Sequence, residues 1–303
     1  MIKLLLNYLF FPGMAFLAAA GMLVSWLDRK VTARIQWRVG PPVLQPFYDV
    51  RKLFLKETIL PAKGSVWLFV AAPVISVMAI LMISNYLFSA LMYPETSFQG
   101  DLILILYLFM IPPVACIMGA LASGNPLASL GASREMKMVL SYELPFLLSV
   151  SVAILKFKSI SLGEILVSQQ TFSSIIETPS GLLAFIVAVL CIQAKMGVGP
   201  FDLAEAETEL AGGSQIEYSG PLLAFWKLSK MMLMVVAPLL IILIFWAGSG
   251  GWPLILKYLA VIVISILIRN TNPRLRIDQA IKFFWSVLTV LAVIALLLHW
   301  LGY

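Results

Sequence analysis

The sequence predicts an all-α polytopic membrane protein with about eight transmembrane helices. Of its 303 residues, 61% are hydrophobic and only 12% are charged, and the mean hydropathy is +0.98. One soluble core cannot hold that much apolar surface. The apolar residues form continuous runs of span length, whereas a membrane barrel alternates apolar and polar residues in segments of about ten. We therefore expect a single integral membrane domain over residues 1–303.

Eight apolar segments are long enough to cross a bilayer as helices. They are residues 8–27, 66–92, 102–123, 138–155, 181–199, 222–246, 252–268 and 283–300. Loops 28–64, 124–137 and 269–281 are basic, as cytoplasmic loops usually are. With eight spans in the plasma membrane, these loops and loop 200–220 are cytoplasmic and both termini lie outside. The net charge of +6 therefore does not indicate nucleic-acid binding.

The first cytoplasmic loop contains an amphipathic segment at residues 44–56. If it is helical, Phe47, Val50, Leu53 and Phe54 share one face while the charged residues lie elsewhere. This pattern predicts an interfacial helix that lies on the cytoplasmic leaflet. A plain basic anchor, without a defined helix, is the alternative.

The loop 200–220 is rich in carboxylates and contains no Lys or Arg; its acidic residues are Asp202, Glu205, Glu207, Glu209 and Glu217. A helix starting near Pro200 would put Asp202, Glu205 and Glu209 on one face. Like charges held together favour the sharing of a proton. The alternative is a solvated helix with acidic residues near its N-terminus.

Glu143 is the clearest ionisable residue inside a predicted span. Pro145 cannot donate a hydrogen bond to the carbonyl of Ser141, which loosens the helix beside the carboxylate. Ionisable groups within spans are costly and are functional candidates. We expect Glu143 to relay ions, with a structural ion pair to a neighbouring Lys or Arg as the alternative.

Three lysines lie near the cytoplasmic ends of spans. Lys227 and Lys230 share a helical face early in the sixth span, and Lys195 lies near the end of the fifth. Each has the alternative of snorkelling to the membrane surface, most easily for Lys227. Together with Glu143 and the acidic loop, they predict an ion route that starts at the cytoplasmic face and continues in another subunit.

The chain offers few metal ligands. Cys116 and Cys191 lie in separate apolar runs, and there is one histidine, His299. We therefore predict no metal or cofactor in this chain and no nucleophile–base pair typical of an intramembrane enzyme. A stand-alone secondary transporter is a further alternative, although the internal repeats typical of that class are not evident.

Three segments, in this order, carry a family resemblance: DRKVTARIQWRVGPP with LQPFYDVRKLFLKE, GASREMKMVLSYE, and PFDLAEAETELAGGSQIEYSG. They closely resemble subunit 1 of respiratory complex I. The same family includes the matching subunits of energy-converting membrane-bound nickel–iron hydrogenase and of membrane-bound sulfane reductase. The resemblance covers nearly the whole chain and implies a subunit that joins a membrane arm to a hydrophilic redox arm.

The resemblance also implies roles for particular residues. Glu143 matches a buried relay glutamate, and the carboxylates of loop 200–220 match an acidic loop that faces the redox module. The basic residues that would contact this module are Arg29, Arg34, Arg38 and Arg134. Lys195, Lys227 and Lys230, which are candidates by their positions in the spans and not by the resemblance, complete the candidate relay.

Three departures separate this chain from quinone-reducing members. Val198 replaces a usual arginine, Lys230 replaces a usual glutamate, and the loop 40–45 is shorter. The compact loop looks more like the ferredoxin-dependent hydrogenase and sulfane-reductase branch. A quinone-chamber subunit of a complex I-type oxidoreductase is the alternative.

The implied complex would move H⁺ or Na⁺. Its expected partners are hydrogenase-like large and small subunits, an iron–sulfur ferredoxin-like subunit and antiporter-like membrane subunits, with ferredoxin as donor. The iron–sulfur clusters and a nickel–iron centre would lie in those partners. Nickel would distinguish the hydrogenase from the sulfane reductase and from complex I.

Overall fold

The computed structural model describes residues 9–62, 64–171, 173–204, 211–247 and 251–302. Within these residues the regular structure is helical, without β-strands, which confirms the predicted all-α class. Six helical segments of this part of the chain are long and apolar enough to cross a membrane. The chain is therefore a multi-pass membrane protein.

The α-helices of the described residues, in chain order, are α1 (Met14–Ile35), α2 (Gln45–Phe54), α3 (Val66–Met92), α4 (Asp101–Leu108), α5 (Ile111–Ala122), α6 (Pro126–Phe157), α7 (Leu162–Thr171), α8 (Pro179–Lys195), α9 (Gly220–Phe245), α10 (Trp252–Thr271), α11 (Ile277–Lys282) and α12 (Thr289–Trp300). A π-helical stretch, Phe283–Leu288, joins α11 to α12. The third predicted span comprises α4 and α5, since Pro112 and Pro113 open α5 and cannot donate backbone hydrogen bonds.

The helix ends depart most from the predicted spans at α1 and α6, and the predicted span 181–199 ends early, at Lys195 of α8. The first span corresponds to α1, which continues through Ile35 into the predicted loop, where Arg269 of α10 pairs with Asp28 at 2.6 Å. The predicted loop 124–137 is mostly the first turns of α6, because the Asn125 side chain caps this helix by accepting from Leu127 N at 2.8 Å. Helix α8 is a shorter apolar helix of 17 residues.

Helix α9 is the centre of the bundle. From Met231 to Phe245 nearly every residue is buried. Its approach to α1 is close because Gly21 has no side chain, and a Cβ there would lie 2.7 Å from the Met231 carbonyl oxygen. Helices α10 and α12 lie at the periphery and expose most of their apolar side chains.

The predicted amphipathic helix is present as α2. Val50 and Leu53 are buried, and Val50 packs against Leu228 and Met231 of α9. Phe47 and Phe54, predicted on the same apolar face, remain about half exposed. The helix therefore docks on the bundle with only part of its apolar face.

The loops meet at one end of the bundle, which we call the loop end. Ser219 Oγ accepts a hydrogen bond from Ile59 N at 2.9 Å, and Leu275 N donates to Pro200 O at 3.2 Å. The start of α6 approaches the same place, since a Cβ at Gly131 would lie 2.5 Å from Ser214 N. The first, acidic and last predicted loops thus share one side.

Candidate functional site

Glu143 of α6 forms an ion pair with Lys195, the last residue of α8. Lys195 Nζ lies 3.0 Å from Glu143 Oε2, and the side chains are 1% and 15% exposed, respectively. The pair is ionic by distance, although its angles fall outside those of a hydrogen bond. The structural pairing that the sequence leaves open is therefore present, and its distance also suits proton transfer.

Lys195 does not snorkel to the surface. Its ammonium lies 4.7 Å from the ring centroid of Phe146, 5.6 Å from that of Phe109 and 5.7 Å from that of Tyr142. Attraction between a cation and aromatic faces offsets part of the cost of burying the charge. The alternative of snorkelling is therefore wrong for Lys195, because its side chain is buried and aromatic rings from α6 and from the junction of α4 and α5 surround its ammonium.

A small cavity of about 70 Å³ adjoins Lys195. Its polar lining combines α3, α6, α8, α9 and the acidic loop: Ser76, Glu135, Lys195, Asp202, Ser214, Gln215, Ser229 and Lys230. The volume and the polar groups suit a few water molecules. This cavity places a hydratable space next to the buried pair.

A second cavity, of about 500 Å³, lies at the loop end beside the first. Asp202, Gln215, Trp226 and Lys230 line both cavities. The larger one also takes charged lining from α1, α9 and α10: Asp28, Arg29, Lys227 and Arg269. Val198, one of the departures from quinone-type members, lines it too.

The acidic loop is only partly described. Asp202 accepts from Arg274 at 3.3 Å, and Glu217 accepts from the side chain of Asn125 at the start of α6. Residues 201–204 are not helical, so the prediction of a helix starting near Pro200 is wrong over this stretch. Asp202 follows a turn that hydrogen-bonds to the 269–281 loop instead. Glu205, Glu207 and Glu209 lie outside the described residues.

The predicted interface arginines have different surroundings. Arg29 is engaged within the chain, since it pairs with Asp49 of α2 at 2.8 Å. Arg34 and Arg38 are exposed, and Arg134 is half-buried. Trp37, between the two exposed arginines, is 98% exposed. The tip after α1 therefore presents cations and an aromatic ring at the loop end.

Acidification should loosen α2. Burial raises the pKa of Asp49, but hydrogen bonds from Arg29 and Gln45 outweigh it and hold the pKa below its usual value. A carboxyl group whose pKa is lowered on folding stabilises the fold at any pH above its pKa in the unfolded chain, which is about 3.9. This stabilisation is lost as the pH falls through the pKa of the folded state. We expect hydrogen exchange of the 45–54 amides, corrected for intrinsic rates, to rise below about pH 4.

Asp49→Asn is the control for this step, because it removes the titrating group. The variant should show weaker protection of α2 at neutral pH and no further acid step. An equal rise at low pH in the wild type and the variant would assign the step to other groups.

Glu135 is the principal residue of this site that the sequence patterns did not single out. It lies in the SREMKMVLSYE segment, two helical turns before Glu143, and lines the small cavity. Its spacing from Glu143 could have revealed it, because residues eight positions apart in a helix lie on the same side of that helix. Hydropathy alone does not place Glu135 in a helix with Glu143, because the predicted span begins only at residue 138, whereas α6 begins at Pro126.

Potential metal ligands are not clustered in the described ranges: no three His, Cys, Asp or Glu side chains there are placed to hold an ion. Cys116 donates a hydrogen bond to Ser214 Oγ at 3.2 Å, and Cys191 is buried in α8. Both cysteines are thiols that take no part in a disulfide.

The chain is similar to known proteins over almost its full length. Residues 8–300 match the family model described as NADH dehydrogenase. The H subunit of NADH-quinone oxidoreductase from Syntrophotalea carbinolica is 32% identical over 312 aligned residues, which cover 94% of this chain and 91% of that protein. A chain of the membrane-bound sulfane sulfur reductase, an archaeal respiratory membrane complex, matches with a TM-score of 0.78 and 30% identity, covering 94% of this chain and 96% of the other.

These similarities agree with the resemblance of the three sequence motifs. They make the chain a membrane subunit of a complex I-like or membrane-bound sulfane reductase-like complex. The chain belongs to the NADH dehydrogenase family of membrane subunits, the family of complex I subunit 1.

Proposed function

We propose that this chain is the membrane-anchor and energy-coupling subunit of a ferredoxin-dependent, ion-translocating redox complex of the membrane-bound hydrogenase type. The observation that carries the proposal is the buried Glu143–Lys195 pair beside two adjoining polar cavities. Buried ionisable groups are costly within a membrane domain and mark ion pathways. The pair would link electron transfer in a peripheral arm to the movement of H⁺ or Na⁺.

The route would begin in the larger cavity. Lys230 and Asp202 line both cavities, Lys195 lines the smaller one, and Glu143 contacts Lys195. Redox steps near the acidic loop would change its charge, and that change would pass along these groups. Lys227 is exposed at the mouth of the larger cavity, where it would attract or repel charge rather than carry it.

A second membrane subunit would complete the route. Met136, Leu140, Leu144 and Leu147 are exposed along α6, next to the partly exposed Glu143. A carboxylate facing lipid is unfavourable, which favours a protein neighbour on this face. An antiporter-like membrane subunit is the partner that we propose there.

The loop end would face the cytoplasm and the redox module. Positive charge in the loops supports this orientation in the plasma membrane, with both termini outside. Hydrogenase-like large and small subunits and an iron–sulfur ferredoxin-like subunit would dock there, on Arg34, Arg38 and the acidic loop. The iron–sulfur clusters and a nickel–iron centre would belong to those subunits.

A quinone-chamber subunit of a complex I-type oxidoreductase is the second candidate. The larger cavity favours it, because about 500 Å³ lies in the range of pockets for organic ligands. Val198 and Lys230, where quinone-type members usually have arginine and glutamate, oppose it. A sulfane-reductase complex is the third candidate.

Purification of the intact complex in mild detergent tests the proposal. We expect the chain to co-purify with iron–sulfur subunits, ferredoxin-driven activity and stoichiometric nickel. Iron without nickel, with reduction of a sulfur compound, would replace the hydrogenase with a sulfane reductase. Tight stoichiometric quinone binding, with inhibition by compounds that fill the cavity, would replace it with the quinone reductase.

A further inference from the structure

We propose that Lys195 makes the ion route through this chain selective for H⁺ over Na⁺. The inference rests on the proposed coupling function and identifies its ion. Among the described residues, Lys195 is the group that both lines the small cavity and contacts Glu143. Glu143 is not part of the described lining of either cavity. An ion moving from the cavity to Glu143 therefore meets the lysine ammonium.

The surroundings of this ammonium suit a proton and not a metal cation. Phe109, Tyr142 and Phe146 present rings to it, and Cys191 lies one turn earlier on the same helix. A sodium ion needs oxygen atoms to replace its hydration shell. The nearby carboxylate of Glu143 is already paired, and a fixed positive charge repels a second cation.

A proton can pass this point in two balanced steps. First, the ammonium of Lys195 gives one proton to the Glu143 carboxylate, which leaves a neutral amine and a neutral carboxylic acid. Second, the amine takes a proton from a donor in the cavity and regains its charge. Burial penalises the charged pair, so the neutral pair is closer to it in free energy than in water.

Lys195→Arg separates proton transfer from charge. The guanidinium keeps the positive charge and the attraction to Glu143, and the cavity next to it offers room for the longer side chain. Arginine does not release its proton in proteins. We expect the complex to assemble and the detached peripheral arm to transfer electrons normally, while proton uptake by vesicles falls at least about 10²-fold.

A second variant, Lys195→Ala, can be tested by chemical rescue with a small amine. In Lys195→Ala, methylammonium can enter the vacated space and should restore proton uptake, with a rate that depends on the acidity of the added amine. Tetramethylammonium is the matched control, because it is a cation without a transferable proton. A purely structural or electrostatic role for Lys195 predicts normal uptake in the arginine variant or equal rescue by both cations.

Ion uptake by vesicles that contain the wild-type complex decides the question. We expect electron transfer to acidify the lumen, and a protonophore to abolish any accompanying ²²Na⁺ uptake. Primary ²²Na⁺ uptake that persists with the protonophore and is lost in Glu143→Gln would overturn proton selectivity while leaving the coupling function intact. Unchanged uptake of both ions in Glu143→Gln would instead remove the coupling function itself.

Discussion

Glu143→Gln should abolish ion pumping by the reconstituted complex. The amide keeps the size of the carboxylate and leaves an oxygen able to face the Lys195 ammonium, but it cannot take up a proton. We expect the ion flux per electron to fall at least about 10²-fold, the effect typical of removing a proton-transfer group. The measurement is the pH change inside vesicles during turnover.

Two controls accompany this variant. Glu95→Gln makes the same substitution at an exposed carboxylate remote from the loop end, and it should pump as the wild type does. Electron transfer by the detached peripheral arm to an artificial acceptor should be equal in all three proteins. Normal pumping by Glu143→Gln would exclude Glu143 as the relay and assign the Glu143–Lys195 pair a structural role.

Gly131→Ala should have the second large effect, by moving the end of the acidic loop. The added Cβ would lie 2.5 Å from Ser214 N and 2.8 Å from the carbonyl carbon of Gly213. Both are backbone atoms, so α6 and the stretch Gly213–Gln215 must separate. Overpacking of this kind costs about 1–3 kcal/mol. Because Ser214 and Gln215 line the small cavity, coupling should weaken as well.

Thermal denaturation of the purified complex, together with the ion flux per electron, measures both consequences. Ser133→Ala is the matched control, since Ser133 lies on the exposed side of the same helix two residues later. We expect the control to melt and pump as the wild type does. Equal melting of Gly131→Ala and the wild type would show that the loop can shift at no cost.

The sequence predicts the spans well and their loop ends poorly. Runs such as those of α3 and of α9 after Lys230 are almost entirely apolar, so burial in membrane or protein suits every face of them. The end of α1 differs because its charged residues are stabilised by distant partners: Asp28 pairs with Arg269, 241 positions away. Local hydropathy contains no information about such a pair, so residue 28 looks like the start of a loop.

The sequence predicts which residues belong to the candidate site better than it predicts how they are arranged. Glu143 and Lys195 stand out because charge inside a span is rare. Their pairing depends on how α6 packs against α8, which the helical period of either segment does not specify. The burial of Lys195 depends on Phe109, Tyr142 and Phe146, aromatic residues that lie far from it in sequence and that the pattern of α8 does not reveal.

The burial of α9 has a consequence for the cell before the complex is assembled. Its half away from the loop end, from Val235 to Phe245, is buried throughout, whereas both polar cavities lie towards the loop end. Because every residue of this half of α9 is buried in the described part of the bundle, we expect the isolated chain to be leak-tight. A membrane could therefore receive newly made copies without losing its electrochemical gradient, and conduction would begin only when the remaining subunits arrive.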